Sequence, residues 1–159
     1  MSISDLIVVM KAGVVHQIGK PQEVYDEPKN LFVAKFLGTP PINVFDGEVK
    51  GGKLYIGEEA VLAVKGIEDQ KVAVGIRPEG FILKEDGPFG CALKGVEITG
   101  RDTTVVSTHP ASQNTEIRSI MDAENVSRVG TGTVRFALRP NKVKLFSVET
   151  EESLSFEVL

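Results

Sequence analysis

The chain opens with a hydrophobic pattern that predicts a β-hairpin. Residues 6–10, LIVVM, form a continuous apolar run of the kind found in buried strands, and residues 14–18 form a second, mostly apolar run. Lys11, Ala12 and Gly13 supply the turn between them. We therefore expect a two-stranded hairpin whose first strand is buried.

Two short helices are predicted after this hairpin. Pro21 suits the first turn of a helix, where its missing N–H costs nothing, and Pro28 ends that helix. Asn30 is placed to cap a second helix over residues 31–37, which Gly38 ends. Apolar side chains nearly surround the second helix, so we expect it to be buried.

The pattern changes after the Pro40–Pro41 pair, which predicts an extended linker. From Asn43 onward, short β-type runs alternate with glycine-rich turns, and no clear internal repeat is visible. The runs are VFDGEV, KLYIG, AVLAV, KVAVGIRP, GFILK, CALKGVEIT, TTVVST, TEIRSIM, TVRFALRP, VKLF and LSFEVL. Many short strands at close spacing predict an all-β barrel or sandwich.

Composition narrows the class of protein. The 159 residues are 42% hydrophobic and 25% charged, which suits one soluble domain with a core. The net charge is −4, and no cluster of Lys and Arg with interleaved aromatic residues is visible, so we expect no nucleic-acid partner. No apolar run approaches the roughly 20 residues that span a bilayer, so we expect no direct membrane insertion. The acidic run ETEESLSFE should be solvated surface.

No catalytic, cofactor-binding or metal-binding motif is found. Residues 47–54, GEVKGGKL, begin like a P-loop, but Leu54 replaces the required hydroxyl and strands flank the segment, so a hairpin turn is the better interpretation. His16, His109 and Cys91 lack the spacing of metal ligands. We expect Cys91 in the core, His16 packed or on the surface, and His109 exposed in a polar loop. A single cysteine also fits a cytosolic setting.

Two Arg-Pro pairs are the most distinctive polar features. Arg77 ends an apolar run and is followed by Pro78 and Glu79. The planar guanidinium of such a residue can anchor a carboxylate, bind an anion or contact a neighbouring domain, although a structural salt bridge is the simpler interpretation. Arg139–Pro140 repeats the pattern, which favours a shared geometry at the rim of a barrel over two separate sites.

The N-terminal region also carries a specific family pattern. A hairpin with Gly is followed by Q-x-G-x-P-x-E-x-Y, then P-x-N-x-F-V-A-x-F-x-G-x-P, then Asn. Its residues here are Gln17, Gly19, Pro21, Glu23, Tyr25, Pro28, Asn30, Phe32, Val33, Ala34, Phe36, Gly38, Pro40 and Asn43. This segment resembles the end of the nucleotide-binding domain of ATP-binding-cassette (ABC) import ATPases of the sugar and glycerol-phosphate type. VGIRPEGF and VKLFSVETEESL resemble parts of the regulatory barrel of the same subunits, the oligonucleotide-binding-like (OB-like) fold called TOBE.

The resemblance implies two domains. Residues 1–42 would be the C-terminal remnant of a nucleotide-binding domain with its linker helices, and residues 43–159 an OB-like (TOBE/MOP-like) β-barrel. The chain would then be a regulatory and dimerisation domain of an importer subunit. Asn43, Arg77 and Glu79 are the candidate interdomain or regulatory contacts.

The family's ATPase motifs have no matching positions in this sequence. We therefore expect this chain not to hydrolyse ATP, and ATP and Mg²⁺ would belong to the full-length parent. Expected partners are a second copy, the membrane subunits of a transporter and a regulatory protein, at the cytoplasmic face of the membrane. The alternative is a stand-alone β-barrel that binds a small oxyanion or metabolite.

Overall fold

The structure is a computed structural model that describes residues 6–38, 40–99, 102–122 and 132–159. Within these ranges the fold is mainly β, with two sheets that wrap around one core to form a barrel-like body. A separate hairpin and two short helices precede it. The expected fold class is therefore confirmed.

The strands that lie within the described ranges account for every predicted β-type run. They are β1 (Ile7–Lys11), β2 (Val14–Gly19), β3 (Asn43–Lys50), β4 (Lys53–Ile56), β5 (Glu59–Lys65), β6 (Gln70–Ile76), β7 (Phe81–Leu83), β8 (Phe89–Thr99), β9 (Asp102–Thr108), β10 (Ile117–Asp122), β11 (Thr133–Leu138), β12 (Val143–Ser147), β13 (Ser153–Leu154) and β14 (Glu157–Val158). The helices are α1 (Pro21–Asp26) and α2 (Leu31–Phe36), and 3-10 turns cover Pro78–Gly80 and Pro140–Lys142.

The hairpin β1–β2 forms as predicted, but its first strand is not buried. Val9 is fully buried, whereas Leu6, Val8 and Met10 are 65%, 48% and 50% exposed. Successive side chains of a strand point to opposite faces, and the other described residues cover only one face of this hairpin. Three of the five side chains in the apolar run are therefore exposed to solvent.

The two helices begin where the sequence predicts. Pro21 is the first residue of α1, and the Asn30 side chain accepts a hydrogen bond from the N–H of Val33, at 2.9 Å. The expectation that α2 is buried is confirmed for Leu31, Val33 and Ala34 but not for Phe36, which is 58% exposed. Leu31 and Ala34 pack on the barrel, whereas Val33 packs in a separate cluster with Val9 of β1 and Val24 of α1.

Every neighbouring pair of strands described is antiparallel. The seven-stranded sheet has the order β13-β12-β6-β3-β4-β5-β14, and the five-stranded sheet has the order β10-β9-β8-β11-β7. The P-loop-like segment is the β3–β4 hairpin turn, where Gly51 and Gly52 adopt positive φ angles. The hairpin interpretation of GEVKGGKL is thus confirmed.

One large core lies between the two sheets. Phe45 of the first sheet meets Phe89 of the second edge to face, with ring centroids 5.2 Å apart. A second, smaller cluster lies on the opposite face of the seven-stranded sheet, where α2 packs. Its members are Leu31, Ala34, Ile42, Val44, Ala73 and Phe146. This second cluster attaches α2 to the barrel.

The two Arg-Pro pairs belong to a short internal repeat that the sequence alone did not reveal. Residues 72–83, VAVGIRPEGFIL, and residues 134–145, VRFALRPNKVKL, each form a strand, a 3-10 turn and a second strand. The first strand of each segment pairs with the second strand of the other. The two segments are therefore related by a local two-fold arrangement.

The turns of this repeat exchange equivalent hydrogen bonds. The N–H of Arg77 donates to the carbonyl of Lys142 at 3.1 Å, and the N–H of Arg139 donates to the carbonyl of Gly80 at 2.8 Å. The predicted shared geometry at the barrel rim is confirmed. The two arginine side chains differ, however, because Arg77 is buried and Arg139 is exposed.

Candidate functional site

Arg77 is the centre of the most unusual polar cluster in the described part of the chain. It follows the last residue of β6, and its side chain is only 1% exposed, the largest among the fully buried side chains. A buried charge is costly unless its donors are satisfied. The surroundings of Arg77 therefore decide what this residue does.

The guanidinium of Arg77 bonds to main-chain carbonyls of the N-terminal helices. Its Nη1 donates to the carbonyls of Ala34 and Leu37, both at 3.0 Å, and its Nη2 donates to the carbonyl of Tyr25 at 2.7 Å. These carbonyls lie at the C-terminal ends of α2 and α1, where carbonyls lack partners within a helix and carry partial negative charge. One cation thus caps both helices and holds them against the end of β6.

The Tyr25 ring completes the enclosure of this cation. The guanidinium carbon of Arg77 lies 3.9 Å from the ring centroid, a distance that allows a cation–π interaction. Burial lowers the pKa of Arg77, and nearby Tyr25 and Glu79 oppose that change. Arg77 Nε is buried and has no hydrogen-bond partner among the described residues, so they satisfy the guanidinium only in part.

Glu79 joins the same cluster through Tyr25. The Tyr25 hydroxyl donates to the Glu79 carboxylate at 2.7 Å, and the Lys142 ammonium lies 3.8 Å from that carboxylate. Burial, followed by the hydrogen bond to Glu79 and its negative charge, raises the pKa of Tyr25 well above its ordinary value. The phenol is therefore held in its neutral, proton-donating form.

Gly38 is needed for this arrangement. Its φ is +105°, and a Cβ added there would lie 3.3 Å from the Tyr25 ring and 3.6 Å from Arg77 Nη1. A larger residue would be strained in this backbone conformation and would crowd the ring. The glycine after α2 therefore lets the chain turn closely around the arginine.

Asn43 lies outside this cluster. It is the first residue of β3 and is buried, and its side-chain amide donates to the carbonyl of Arg118 at 3.0 Å while accepting from the N–H of Arg118, also at 3.0 Å. It also donates to the carbonyl of Ile76 at 3.3 Å. The Asn43 amide thus imitates a strand partner for β10 and joins the two sheets.

The structure therefore brings together two of the three candidate residues. Arg77 and Glu79 share Tyr25, whereas Asn43 bonds within the barrel. The simpler interpretation of Arg77 as a salt bridge is wrong, since its guanidinium bonds to carbonyls. A role for these residues in contacts with a regulator stays a prediction.

The sequence did not predict the roles of two residues, Tyr25 and Arg135. Tyr25 belongs to the quoted family pattern, but nothing in the pattern indicated that its ring and carbonyl face Arg77. Arg135 is the second, since it donates to Glu59 at 2.6 Å and connects the two sheets. Burial disfavours ionisation of Glu59, but hydrogen bonds from the Gly90 N–H and from Arg135 outweigh it and lower the pKa of Glu59.

The histidines and the cysteine occupy structural positions. Cys91 is buried as expected, and burial raises its pKa to about 12. His16 bonds Asn30 at 2.8 Å and packs against the Phe32 ring. The expectation that His109 is exposed is wrong, because its ring packs on Phe89 at 5.0 Å and burial lowers its pKa. The polar sequence around His109 predicts an exposed loop, but the ring itself lies beside the core.

Two further observations concern the described residues only. Within them, no group of three His, Cys, Asp or Glu side chains is arranged to hold a metal ion. The helices described there include none that is long and apolar enough to cross a membrane.

Comparison with known proteins relates the chain to importer subunits. It is 32% identical over 150 residues to the sn-glycerol-3-phosphate import ATP-binding protein UgpC of Ruegeria sp., covering 94% of this chain and 42% of that protein. It is 31% identical over 178 residues to the diacetylchitobiose uptake system ATP-binding protein MsiK of Streptomyces coelicolor, covering 98% of this chain and 47% of that protein.

A third relative has the same character. The sulfoquinovosyl glycerol transport ATP-binding protein SmoE of Agrobacterium fabrum is 31% identical over 164 residues, which cover 97% of this chain and 45% of that protein. No protein-family model matches the chain. The chain spans less than half the length of these curated relatives. Over nearly its whole length, it is homologous to the C-terminal part of ATP-binding proteins of ABC-type sugar and glycerol-phosphate importers.

Proposed function

We propose that this chain is the regulatory and dimerisation module of an ATP-binding subunit of an ABC-type importer for a sugar or a glycerol phosphate. Residues 1–42 form the end of the nucleotide-binding part with its linker helices, and residues 43–159 form the regulatory barrel. The module acts at the cytoplasmic face of the membrane, together with the membrane subunits. It does not hydrolyse ATP by itself, and ATP and Mg²⁺ bind elsewhere in the parent protein.

The observation that carries this proposal is the burial of Arg77 between the barrel and both linker helices. A guanidinium bonded to three helix carbonyls makes the helices and the end of β6 move together. A change in the position of the barrel is then passed to the hairpin that precedes the helices. Such rigid coupling is what a regulatory domain needs to favour one arrangement of an ATPase pair over another.

The exposed face of the hairpin supports an interface with another domain or with a second chain. Val8 pairs with Ile18, and Met10 pairs with Val15, so these four apolar side chains share one face of β1–β2. Each is between 48% and 56% exposed. A contiguous apolar patch on a hairpin marks an interaction surface. In the parent protein the nucleotide-binding part covers it, and in this chain alone a second copy covers it.

A chimera tests the regulatory role. This chain would replace the matching 150-residue part of the Ruegeria relative, and the ATP turnover of the chimera would be measured. Arg77→Met should change ATP turnover because the barrel is uncoupled from the linker helices. Arg139→Met, at the equivalent exposed position of the internal repeat, serves as the matched control and should not change it. Equal turnover in all three proteins would refute regulation through Arg77.

A second candidate function, the binding of a small anion by the barrel itself, is favoured by one groove. This groove lies between Lys29, β12 and Ser153. It contains Lys144, a half-buried lysine that has no ion-pair partner among the described residues.

A further inference from the structure

Two neighbouring side chains of β2 connect the hairpin to the linker helices. Gln17 is buried, donates from Nε2 to the carbonyl of Glu27 at 3.1 Å and accepts from the N–H of Lys29 at 2.9 Å. His16, the preceding residue, is half-buried and lies beside Asn30, with 2.8 Å between His16 Nδ1 and Asn30 Nδ2. Histidine changes its charge near neutral pH and glutamine does not. One of the two connections can therefore titrate.

The side-chain amide of Asn30 fixes which form of His16 fits. Its Oδ1 accepts from the N–H of Val33 at 2.9 Å, which is the cap of α2. A main-chain N–H can only donate, so the amide oxygen has to face Val33 and the amino group has to face His16. The amino group also only donates. His16 Nδ1 must therefore be an acceptor, which is the neutral imidazole with its proton on Nε2.

Protonated His16 does not fit this arrangement. A charged imidazole carries hydrogen on both nitrogens, so its Nδ1–H and the amino group of Asn30 would be two donors facing each other at 2.8 Å. Turning the Asn30 amide by half a rotation would bring its oxygen to His16. The same rotation takes that oxygen away from the N–H of Val33. A proton on His16 Nδ1 and the cap of α2 thus exclude each other.

The start of α2 depends on this cap. The helix has only six residues, and Val33 is fully buried against Val9 of β1 and Val24 of α1. Without Asn30 Oδ1, the N–H of a buried residue would lose its acceptor. Arg77 bonds to carbonyls at the other end of α2. Loss of the cap would therefore loosen the side of the linker that faces the hairpin and leave its attachment to the barrel in place.

The charged residues around His16 offer no compensation for the lost cap. Lys11 of β1 lies 5.2 Å from the centroid of the Phe32 ring, on which His16 also packs. β2 carries no charged residue of its own. The charged residues of α2 and of the segments beside Asn30 are Lys29, Lys35, Glu151 and Glu152. None of the ion pairs between described residues involves His16.

We propose that His16 is a pH-sensitive switch between the hairpin and the linker helices: neutral His16 lets Asn30 cap α2, and protonated His16 removes the cap. The capped arrangement is complete where His16 is neutral and is lost as the pH falls. As an input to regulation, the switch rests on the proposed function. It is measured on this chain without any ATPase, so its failure would leave the proposed coupling through Arg77 untouched.

Nuclear magnetic resonance between about pH 8 and pH 5 tests the switch. At pH 8 the imidazole nitrogen shifts should show His16 with its proton on Nε2. Towards pH 5, the protection of the Val33 amide from hydrogen exchange should fall about fivefold, the factor that corresponds to the loss of one helix cap. The Val24 amide, which bonds to the carbonyl of Lys20 in α1, is the internal control and should keep its protection.

His16→Asn supplies an acceptor that cannot gain a proton, so the Val33 amide should then keep its protection at all pH values. His109→Asn is the matched control, because His109 Nδ1 also accepts from a main-chain N–H, that of Ala111 at 3.0 Å. This variant should keep the pH response of Val33. A proton on His16 Nδ1 at pH 8, or constant protection of Val33 while His16 titrates, would overturn the switch. Equal losses at Val33 and Val24 would also overturn it, as general unfolding.

Discussion

A buried guanidinium whose described hydrogen bonds all go to main-chain carbonyls acts differently from one in a salt bridge. Arg77 donates to the carbonyls of Tyr25, Ala34 and Leu37 at the ends of two helices, and the side chains of these three residues carry no negative charge. If the arginine is lost, these carbonyls lose their partners in a place that solvent hardly reaches, which is the costly way to break a hydrogen bond. We therefore expect Arg77 to contribute to stability as well as to the proposed coupling.

Arg77→Met should lower the free energy of unfolding by about 2–4 kcal/mol, because buried carbonyls are left without donors and the contact with Tyr25 is lost. Urea denaturation followed by circular dichroism measures this change. Arg139→Met is the matched control and should stay within about 0.5 kcal/mol, since the Arg139 side chain is exposed. Similar losses in both variants would contradict the distinction between the two halves of the repeat.

The raised pKa of Tyr25 predicts a dependence of stability on alkaline pH. The folded state holds the phenolic proton more tightly than the unfolded chain, in which the pKa is about 10. The stabilisation from neutral Tyr25 is therefore complete below about pH 10 and is lost as the pH rises beyond it. Tyr25→Phe should remove this part of the slope. Urea denaturation between pH 8 and about pH 11 checks it, and identical slopes in the two proteins would refute it.

At the scale of elements, the side chain of Asn43 takes the place of a neighbouring strand for β10. Both the N–H and the carbonyl of Arg118 bond to Asn43, so both point away from β9. In an antiparallel ladder the neighbouring residue, Ser119, then directs its main-chain groups toward β9. The open edge of β10 is thus held to β3 at one point, and the two sheets are joined there.

Asn43→Ala should weaken the attachment of β10. The Arg118 amide would lose its acceptor, and its hydrogen exchange should accelerate by at least about tenfold, as expected for the loss of roughly 1–2 kcal/mol of local protection. The Ser119 amide, on the β9 side of the strand, serves as the internal control and should be affected less. Equal acceleration at both amides would indicate global destabilisation in place of a local clamp.

Local patterns were sufficient to predict most elements. Pro21, Asn30 and the glycine-rich turns act through their own backbone, so the helix starts and the strand breaks follow from neighbouring residues. Burial of the hairpin and of Phe36 could not be predicted in this way, because a run of apolar residues does not say which face another part of the chain will cover. The burial of the His109 ring was unpredictable for the same reason, because the ring packs on Phe89 of β8, which is distant in sequence.

The candidate site was predictable only in part. The sequence predicted Arg77 and Glu79 as candidate residues because a charged Arg-Pro-Glu segment directly follows a strongly apolar strand. Their partner Tyr25 lies 52 residues from Arg77, and no rule of spacing connects two residues so far apart. The internal repeat was hidden for a related reason, since its two segments share few identical residues and are equivalent mainly in their hydrogen bonds.

For the molecule as a whole, the exposed hairpin predicts self-association. The face formed by Val8, Met10, Val15 and Ile18 should bring two copies together, because apolar side chains on a hairpin are better covered than solvated. Val8→Thr combined with Ile18→Thr keeps β-branched residues in the strands while adding hydroxyl groups to this face. Light scattering at micromolar concentration should give twice the monomer mass for the unsubstituted chain and a lower mass for this variant.

The control is Ile98→Thr, on the exposed side of β8 and 71% exposed. It removes an equally apolar side chain elsewhere and should leave the mass unchanged. A monomer in the unsubstituted chain would contradict dimerisation, and a lower mass in the Ile98→Thr variant would place the interface on the barrel.

The choice of main-chain carbonyls as the acceptors of Arg77 has an evolutionary consequence. Every residue type has a carbonyl, so substitutions in α1 and α2 can accumulate over generations without removing an acceptor. Selection then acts mainly on the arginine itself, on the glycine that gives it space and on Tyr25, whose ring covers the guanidinium. A junction of this kind can persist while the helices around it diverge, and descendants can acquire new surfaces on the helices without losing their connection to the barrel.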